Sequence, residues 1–213
     1  MGLHLNYELL LPSPVPAHET TALLTRLRTF ALTQPLAKVS ELYDARANGM
    51  RRLATVVANA FKDENPHLIA AVDSARGFSV LPGDGCESAV LAFMQRRAED
   101  GRPQDWFWHW SCKTQYASVL GDRHLVACHT GLVQLLEYAI AIGITVFVRD
   151  ETHYWETRDE TRLIAEVNAM NRVVARVAGQ LSDFGTGSGT AFRAPIFRHP
   201  RFEHLEMEND ESS

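Results

Sequence analysis

The strongest constraint on the fold is a pair of strand-like segments joined by a short polar connection. Residues 88–95 and 106–112 are rich in apolar and aromatic side chains, and residues 98–103 between them are charged and contain a glycine and a proline. Two apolar segments separated by a polar Gly/Pro connection are typical of a β-hairpin. The sequence therefore predicts two neighbouring antiparallel strands in the middle of the chain.

The bulky side chains of these two segments indicate how the hairpin is aligned. If Leu91 lies opposite Trp110, large side chains face each other across the strands, and such cross-strand pairs stabilise a sheet. In this register the facing pairs are Leu91–Trp110, Phe93–Trp108 and Ala89–Cys112. The same alignment brings Glu87 beside Lys113 at the open end of the hairpin.

The remaining periodic segments are a mixture of strands and helices. Strands are predicted at residues 3–11, 39–43, 77–81 and 144–148, helices at 23–31, 122–142 and 163–181, and a short helix flanked by loops within 46–75. We therefore predict an α+β fold, with a mixed or mostly antiparallel sheet and helices packed mainly on one face. Two ferredoxin-like halves are one arrangement compatible with this order.

The amphipathic pattern ends before the C-terminus. We predict a single α+β domain over residues 1–184, with an alternative sub-boundary near 46–75, because the glycine-rich segment that begins at Gly185 is typical of a flexible linker. The apolar residues of 192–202 predict an arm, docked either on its own domain or on a second copy in a homo-oligomer. The last residues are acidic and predict an unstructured tail, so residues 185–213 form linker, arm and tail.

The charge balance argues against a nucleic-acid-binding surface. Twenty-one Lys and Arg against 26 Asp and Glu give a formal charge of −5 in 213 residues, whereas such proteins carry a basic patch. No run approaches the roughly 20 apolar residues of a membrane span, and the first residues do not resemble a signal peptide. Three cysteines are too few for a disulfide framework. We expect a cytoplasmic protein with no nucleic-acid or membrane partner.

The predicted order of elements brings four polar segments to one end of the sheet. A helix that starts near the open end of the hairpin runs to the far end, and the strand that follows returns. Residues 83–87, 111–116, 124–129 and 149–156 should therefore meet. Loops gathered at one end of a rigid sheet are where binding residues concentrate.

Three residues of these segments could form a catalytic set. Cys112, His129 and Asp150 follow the order of a nucleophile, a base and an orienting acid, as a thiol-dependent transferase or hydrolase requires. Against this, Cys112 shares its predicted strand face with three tryptophans, which favours a small buried side chain. Catalysis at Cys112 is therefore an alternative hypothesis.

A zinc site is a further alternative at the same end. His124 and Cys128 lie four residues apart on one helix face, and Cys86 and Cys112 could approach from the hairpin. A zinc site needs three or four such ligands. However, neither Cys-x-x-Cys nor His-Glu-x-x-His occurs, and Cys128 continues the apolar stripe of its helix. We therefore predict no metal site, and the sequence assigns no cofactor.

The leading hypothesis is a protein that binds a small molecule or a protein partner at the converging end. Long polar and aromatic side chains there would contact the ligand: Glu87, Lys113, Gln115, Tyr116, Glu151 and Trp155. The alternative hypothesis is an enzyme that uses Cys112 or a metal ion at the same place.

Overall fold

The computed structural model describes residues 2–11, 15–46, 72–97, 103–188, 195–200 and 205. Its strands are β1 (Leu5–Leu11), β2 (Lys38–Val39), β3 (Tyr43–Arg46), β4 (Val72–Leu81), β5 (Ala89–Arg97), β6 (Pro103–Cys112) and β7 (Thr145–Asp150). Its helices are α1 (Ala17–Thr33), α2 (Asp122–Ala141), α3 (Tyr154–Thr157) and α4 (Glu160–Ser188), with 3₁₀ turns at Gln115–Leu120 and Pro195–Arg198. The short helix predicted within 46–75 lies outside the described residues, and the end of that segment, from Val72, is the start of β4.

The seven strands form one antiparallel sheet, which confirms the predicted α+β class. The strand order is β2-β4-β5-β6-β1-β7, and β3 also pairs with β4. The connection that leaves β1 through α1 crosses β6, and the connection from β6 through α2 to β7 crosses β1. The two crossovers therefore interleave. The spatial order β5-β6-β1-β7 is that of a ferredoxin-like sheet, but in this chain β2, β3 and β4 come between α1 and β5, and they extend the sheet beyond β5.

Strand β1 shows why the sheet has one covered face and one open face in this region. Its apolar residues occupy every second position, and successive side chains of a strand point to opposite faces. The buried residues are Leu5, Tyr7, Leu9 and Leu11. Helices α1 and α2 pack on this face and on each other, with the Phe30 and Tyr138 rings stacked at 4.1 Å. The side chains of Asn6 and Glu8 point to the opposite face.

The hairpin of β5 and β6 has the predicted register where its backbones pair. Met94 lies opposite Phe107 and Gln95 lies opposite Trp106. This is the alignment that places Leu91 against Trp110. An irregularity follows beyond Gln95, toward the hairpin connection.

Nearer the open end, side chains of β6 replace the backbone pairing. The indole Nε1–H of Trp108 donates to Val90 O at 2.7 Å, and that of Trp110 donates to Ser88 O at 3.0 Å. The three pairs named from the sequence are therefore not backbone pairs. Because buried carbonyls need a donor, Trp108 satisfies a β5 carbonyl that the strand ladder would otherwise satisfy, and Trp110 binds the exposed Ser88 carbonyl just before β5.

The C-terminal residues correct the predicted start of the linker and bear on the predicted docking of the arm. Helix α4 continues to Ser188, so the linker predicted from Gly185 is helical up to that residue. Ile196 in the following 3₁₀ turn is buried in a cluster with Ala175, Ala178 and Leu205. In the described residues the arm thus docks on its own chain, because Ile196 packs against α4. Binding of the arm to a second copy stays a prediction, and the acidic tail lies outside the described residues.

Among the described residues, no helix combines the length and apolar character needed to cross a membrane.

Candidate functional site

The structure brings the predicted segments together at one end of the sheet. Leu5 in β1 lies opposite Cys112 of β6 on one side and opposite Asp150 of β7 on the other. The loop before β5 reaches the same end, since Glu87 N–H donates to Lys113 O at 2.8 Å. These segments meet because β6 ends, α2 begins and β7 ends at this same end of the sheet.

Buried side chains from three of these segments are joined by a chain of hydrogen bonds. His129 on α2 lies with its Nδ1 2.8 Å from Thr114 Oγ1 and its Nε2 3.0 Å from Asp150 Oδ2. Thr114, His129 and Asp150 are each less than 5% exposed. The first part of α2 thereby connects the end of β6 to the end of β7.

Asp150 is held by donors on both of its oxygens. Oδ1 accepts hydrogen bonds from Thr152 N–H at 2.9 Å and Thr152 Oγ1 at 2.7 Å, while Oδ2 accepts from Trp155 N–H at 2.9 Å as well as from His129. Burial raises the pKa of Asp150, but the hydrogen bonds and charge of His129 and the Thr152 donors outweigh it. The net effect lowers the pKa of Asp150 to about 2.

We expect the protein to lose stability in acid as Asp150 is protonated. The pKa of Asp150 falls from 3.8 to about 2 on folding, so its contribution is present above pH 3.8 and is lost as the pH falls toward 2. A depression of this size corresponds to about 2 kcal/mol of unfolding free energy. Urea unfolding at pH 6, 4, 3 and 2 measures the loss. Asp150→Asn should remove this part of the acid dependence, and an equally steep decline in the variant would contradict the assignment.

Cys112 does not join His129 in the structure. Its side chain is fully buried, and its thiol donates to Glu87 O at 3.3 Å. Burial, followed by the nearby Glu87 charge, raises the pKa of the Cys112 thiol strongly. Because both ring nitrogens of His129 are already occupied by Thr114 and Asp150, the Cys112–His129–Asp150 arrangement is replaced by Thr114–His129–Asp150.

Gln115 belongs to a second buried network, which connects α4 to the start of β1. Its Oε1 accepts from Leu3 N–H at 2.9 Å and its Nε2 donates to Asn171 Oδ1 at 2.8 Å. Asn171 Nδ2 in turn donates to Ser118 Oγ at 2.9 Å. The sequence reasoning missed Asn171. Its signal was a polar residue four positions after Val167, on the apolar stripe of the last helix.

The other predicted contact residues lie at the surface around this closed interior. Lys113, Tyr116 and Trp155 are half-buried and Glu87 is exposed. Cationic groups cover two of the aromatic rings: Lys113 Nζ lies 5.8 Å from the Tyr116 ring centroid, and Arg158 Cζ lies 4.7 Å from the Trp155 centroid. Of the predicted set, Glu151 lines a groove formed by described residues.

This groove lies on the open face of the sheet and has a volume of about 590 Å³. It crosses the three neighbouring strands β6, β1 and β7. Its lining residues are Asn6, Tyr7, Glu8, His109, Phe147, Val148, Arg149 and Glu151. The volume lies within the range of small-ligand pockets. The alternation of β1 and β7 therefore produces a covered apolar face and, on its other side, a polar groove.

A separate thiol cluster lies between the turn before β5 and the start of α2. His124 Nε2 is 3.0 Å from Asp84 O and 3.5 Å from Cys128 Sγ. The turn is closed by Cys86 N–H donating to Gly83 O at 3.1 Å, with Gly85 at a φ of 82°. Within the described residues, no group of three or more potential ligands is arranged to hold a metal ion.

No protein-family model, curated protein or solved structure matches this chain. The open groove, the buried His129–Asp150 pair and the thiol cluster are therefore the features from which a function is inferred.

Proposed function

We propose that this protein binds a small zwitterionic molecule in the groove on the open face of the sheet. The single observation that carries the proposal is a groove of about 590 Å³ that presents one arginine, two glutamates and an exposed phenyl ring. Small-ligand sites combine apolar surface with a few polar groups that fix orientation. A ligand with one anionic and one cationic group matches this combination.

Arg149 is the group that would hold the anion. It is exposed on β7, directly opposite Asn6 in the β1 register. Its guanidinium makes no ion pair with the described residues, so its donors are available to a ligand. A guanidinium binds a carboxylate through two parallel hydrogen bonds. Phe147 lies two residues before it on the same face and is 57% exposed, which provides an apolar contact.

Two carboxylates would hold the cationic group. Glu8 Oε1 lies 3.5 Å from His109 Nδ1, and Glu151 Oε2 lies 3.4 Å from His4 Nδ1. Each pair is an ion pair only when its histidine is protonated. A groove with both signs of charge favours a zwitterion over a simple anion, because the two glutamates repel an unaccompanied negative charge.

The buried network beneath the groove supports its shape. Asp150 lies between Arg149 and Glu151 in the chain, and its side chain points to the covered face, where His129, Thr152 and Trp155 bind it. This fixes the end of β7 before any ligand arrives. A preformed site loses less conformational entropy on binding than a mobile one.

The geometry favours binding over catalysis at Cys112. The residues that line the groove include no cysteine, serine or threonine. The hydroxyl of Tyr7 points away from it and donates to Val90 O at 2.7 Å. The Cys112 thiol is buried on the opposite side of the sheet from the groove.

We expect Arg149→Ala to weaken ligand binding by about tenfold to a hundredfold. A hydrogen bond to a charged group contributes about 1.5–3 kcal/mol, and about 1.4 kcal/mol changes a Kd tenfold. Calorimetric titration with a panel of free amino acids and dipeptides measures the Kd of each compound. The Tm of the variant should stay near that of the parent because Arg149 is exposed.

Arg123→Ala is the matched control. Arg123 is also exposed, but it lies in the first turn of α2, away from the groove. The control should bind like the parent. The proposal fails if no compound of the panel binds, or if Arg149→Ala and Arg123→Ala bind equally well.

A further inference from the structure

The side chains on the open face of β1 and β7 form a regular grid over the groove. Glu8 in β1 lies opposite Phe147 of β7. Arg149 and Glu151 follow Phe147 at every second position, and Glu151 N–H donates to His4 O at 3.1 Å, which continues the pairing with β1 beyond the end of β7. Residues two apart on a strand share a face and lie roughly 7 Å apart. Phe147, Arg149 and Glu151 therefore form one row, with Glu8 beside its first member.

The two carboxylates of the groove differ in how firmly they are held. Glu151 Oε2 accepts a hydrogen bond from His4 N–H at 2.9 Å, and its side chain is 33% exposed. Glu8 Oε1 lies 3.5 Å from the Nδ1 of His109, and its side chain is 53% exposed. Glu151 is thus fixed beside Arg149, whereas Glu8 is more open to solvent at the other end of the row.

The charged side chains that line the groove do not balance. Arg149 contributes one positive charge, and Glu8 and Glu151 contribute two negative charges, so these three side chains sum to −1. A ligand with one anionic and one cationic group leaves one carboxylate without a partner. Charge complementarity therefore favours a ligand that carries two cationic groups and one anionic group.

We propose that the groove selects basic amino acids, such as lysine and arginine, over neutral ones. This inference rests on the proposed function, because it narrows the zwitterion to one with a cationic side chain. The α-carboxylate of the ligand binds Arg149, the α-ammonium group binds Glu151, and the cationic end of the side chain binds Glu8. The ligand then lies along β7, over the row of alternate side chains.

The spacing of the groups in the groove matches an extended basic side chain. Arg149 and Glu8 are diagonal neighbours, because Glu8 lies opposite Phe147 and Arg149 is two residues further along β7. Diagonal neighbours on adjacent strands lie roughly 7–8 Å apart. In lysine the carbons from Cα to Cε separate the α-carboxylate from the side-chain ammonium group, and this chain spans a comparable distance when extended.

Phe147 gives the side chain of the ligand a second contact. Its ring is exposed and lies beside Glu8 in the register of the two strands. An aromatic ring attracts a cation placed over its face, and the methylene groups of a basic side chain cover apolar surface. A neutral aliphatic side chain keeps the apolar contact with the ring but loses the interactions of the charge with the ring and with Glu8.

Calorimetric titration with pairs of amino acids that differ in side-chain charge tests the selection. Lysine should bind about tenfold more tightly than norleucine, and arginine about tenfold more tightly than citrulline, because a hydrogen bond to a charged group changes a Kd by this order. The titrations are made at pH 8, where histidine side chains carry little charge and compete least for the two carboxylates.

Two glutamine substitutions separate the roles of the carboxylates. Glu8→Gln should abolish most of the preference for lysine over norleucine and change the Kd of norleucine little. Glu151→Gln should weaken both ligands, because both carry an α-ammonium group, and keep their ratio. The glutamine oxygen at position 151 can still accept the hydrogen bond of His4 N–H. Glu19→Gln is the matched control, since Glu19 is exposed in the first turn of α1 on the other side of the sheet.

The outcomes distinguish this inference from the proposed function. Equal affinities for lysine and norleucine in the parent chain, or a preference for lysine that survives Glu8→Gln, would overturn the selection of basic amino acids and leave zwitterion binding in place. Loss of the preference in Glu19→Gln would also count against it. If none of the four amino acids nor any other compound of the panel binds the folded parent chain, the selection and the proposed function are both wrong.

Discussion

Asp150→Ala should reduce the free energy of unfolding by about 3–5 kcal/mol, because a buried donor that loses its acceptor costs about 1–3 kcal/mol and several lose it together. The substitution leaves four donors without their acceptor: the Nε2–H of His129, the N–H and hydroxyl of Thr152, and the N–H of Trp155. These groups are buried or partly buried, so water replaces the lost acceptor poorly. Urea denaturation at pH 7 measures the loss.

Asp122→Ala is the matched control for this prediction. Asp122 is exposed in the first turn of α2 and makes only the weak favourable contribution of an acid near a helix N-terminus. Its removal should cost no more than about 1 kcal/mol. Equal losses in the two variants would show that the His129–Asp150 pair does not stabilise the fold.

Trp108→Ala should be comparably destabilising, by about 3–5 kcal/mol. The indole is 1% exposed, so truncation removes a large buried side chain and leaves a cavity. It also removes one of the two donors to Val90 O, the other being the Tyr7 hydroxyl, in a region where β5 and β6 lack backbone pairs. The expected result is a lower urea midpoint with little change in the denaturant slope.

Trp110→Ala is the matched control on the same strand face. Trp110 is half-buried, its ring stacks on Trp108 at 5.7 Å, and its Nε1–H donates to Ser88 O, just before β5. Because less apolar surface is lost, the expected cost is about 1–2 kcal/mol. A loss for Trp110→Ala as large as that for Trp108→Ala would mean that burial does not set the difference.

Much of the fold could be predicted because its local signals agree with its tertiary structure. The alternation of residues 3–11 matches the covered face of β1, and the apolar stripe that starts at Leu125 matches the face of α2 that packs on the core. The end of the last helix could not be predicted in this way. Gly185 and Gly187 have low helix propensity, yet α4 continues through both to Ser188.

The convergence of the polar segments was predictable, but their contacts were not. Periodicity shows that Cys112 and Trp110 share a strand face, but it does not show which neighbouring side chain reaches a given histidine. Thr114 lies beyond the end of β6, where strand alternation no longer applies, and there it meets His129. Backbone donors such as Trp155 N–H have no sequence signature. Side-chain periodicity therefore predicts the end of the sheet where groups meet, and loop geometry decides the partners.

The position of β1 between β6 and β7 has a consequence for synthesis on the ribosome. In the folded sheet Leu5 pairs with both Cys112 and Asp150, and Asp150 is synthesised roughly 145 residues after Leu5. At about 5–20 residues per second, the first strand of a nascent chain remains without either neighbour for roughly 5–20 s and without the second for roughly 7–30 s. The four apolar side chains that the fold later buries are exposed during that interval, so we expect early chaperone contact at the N-terminal segment.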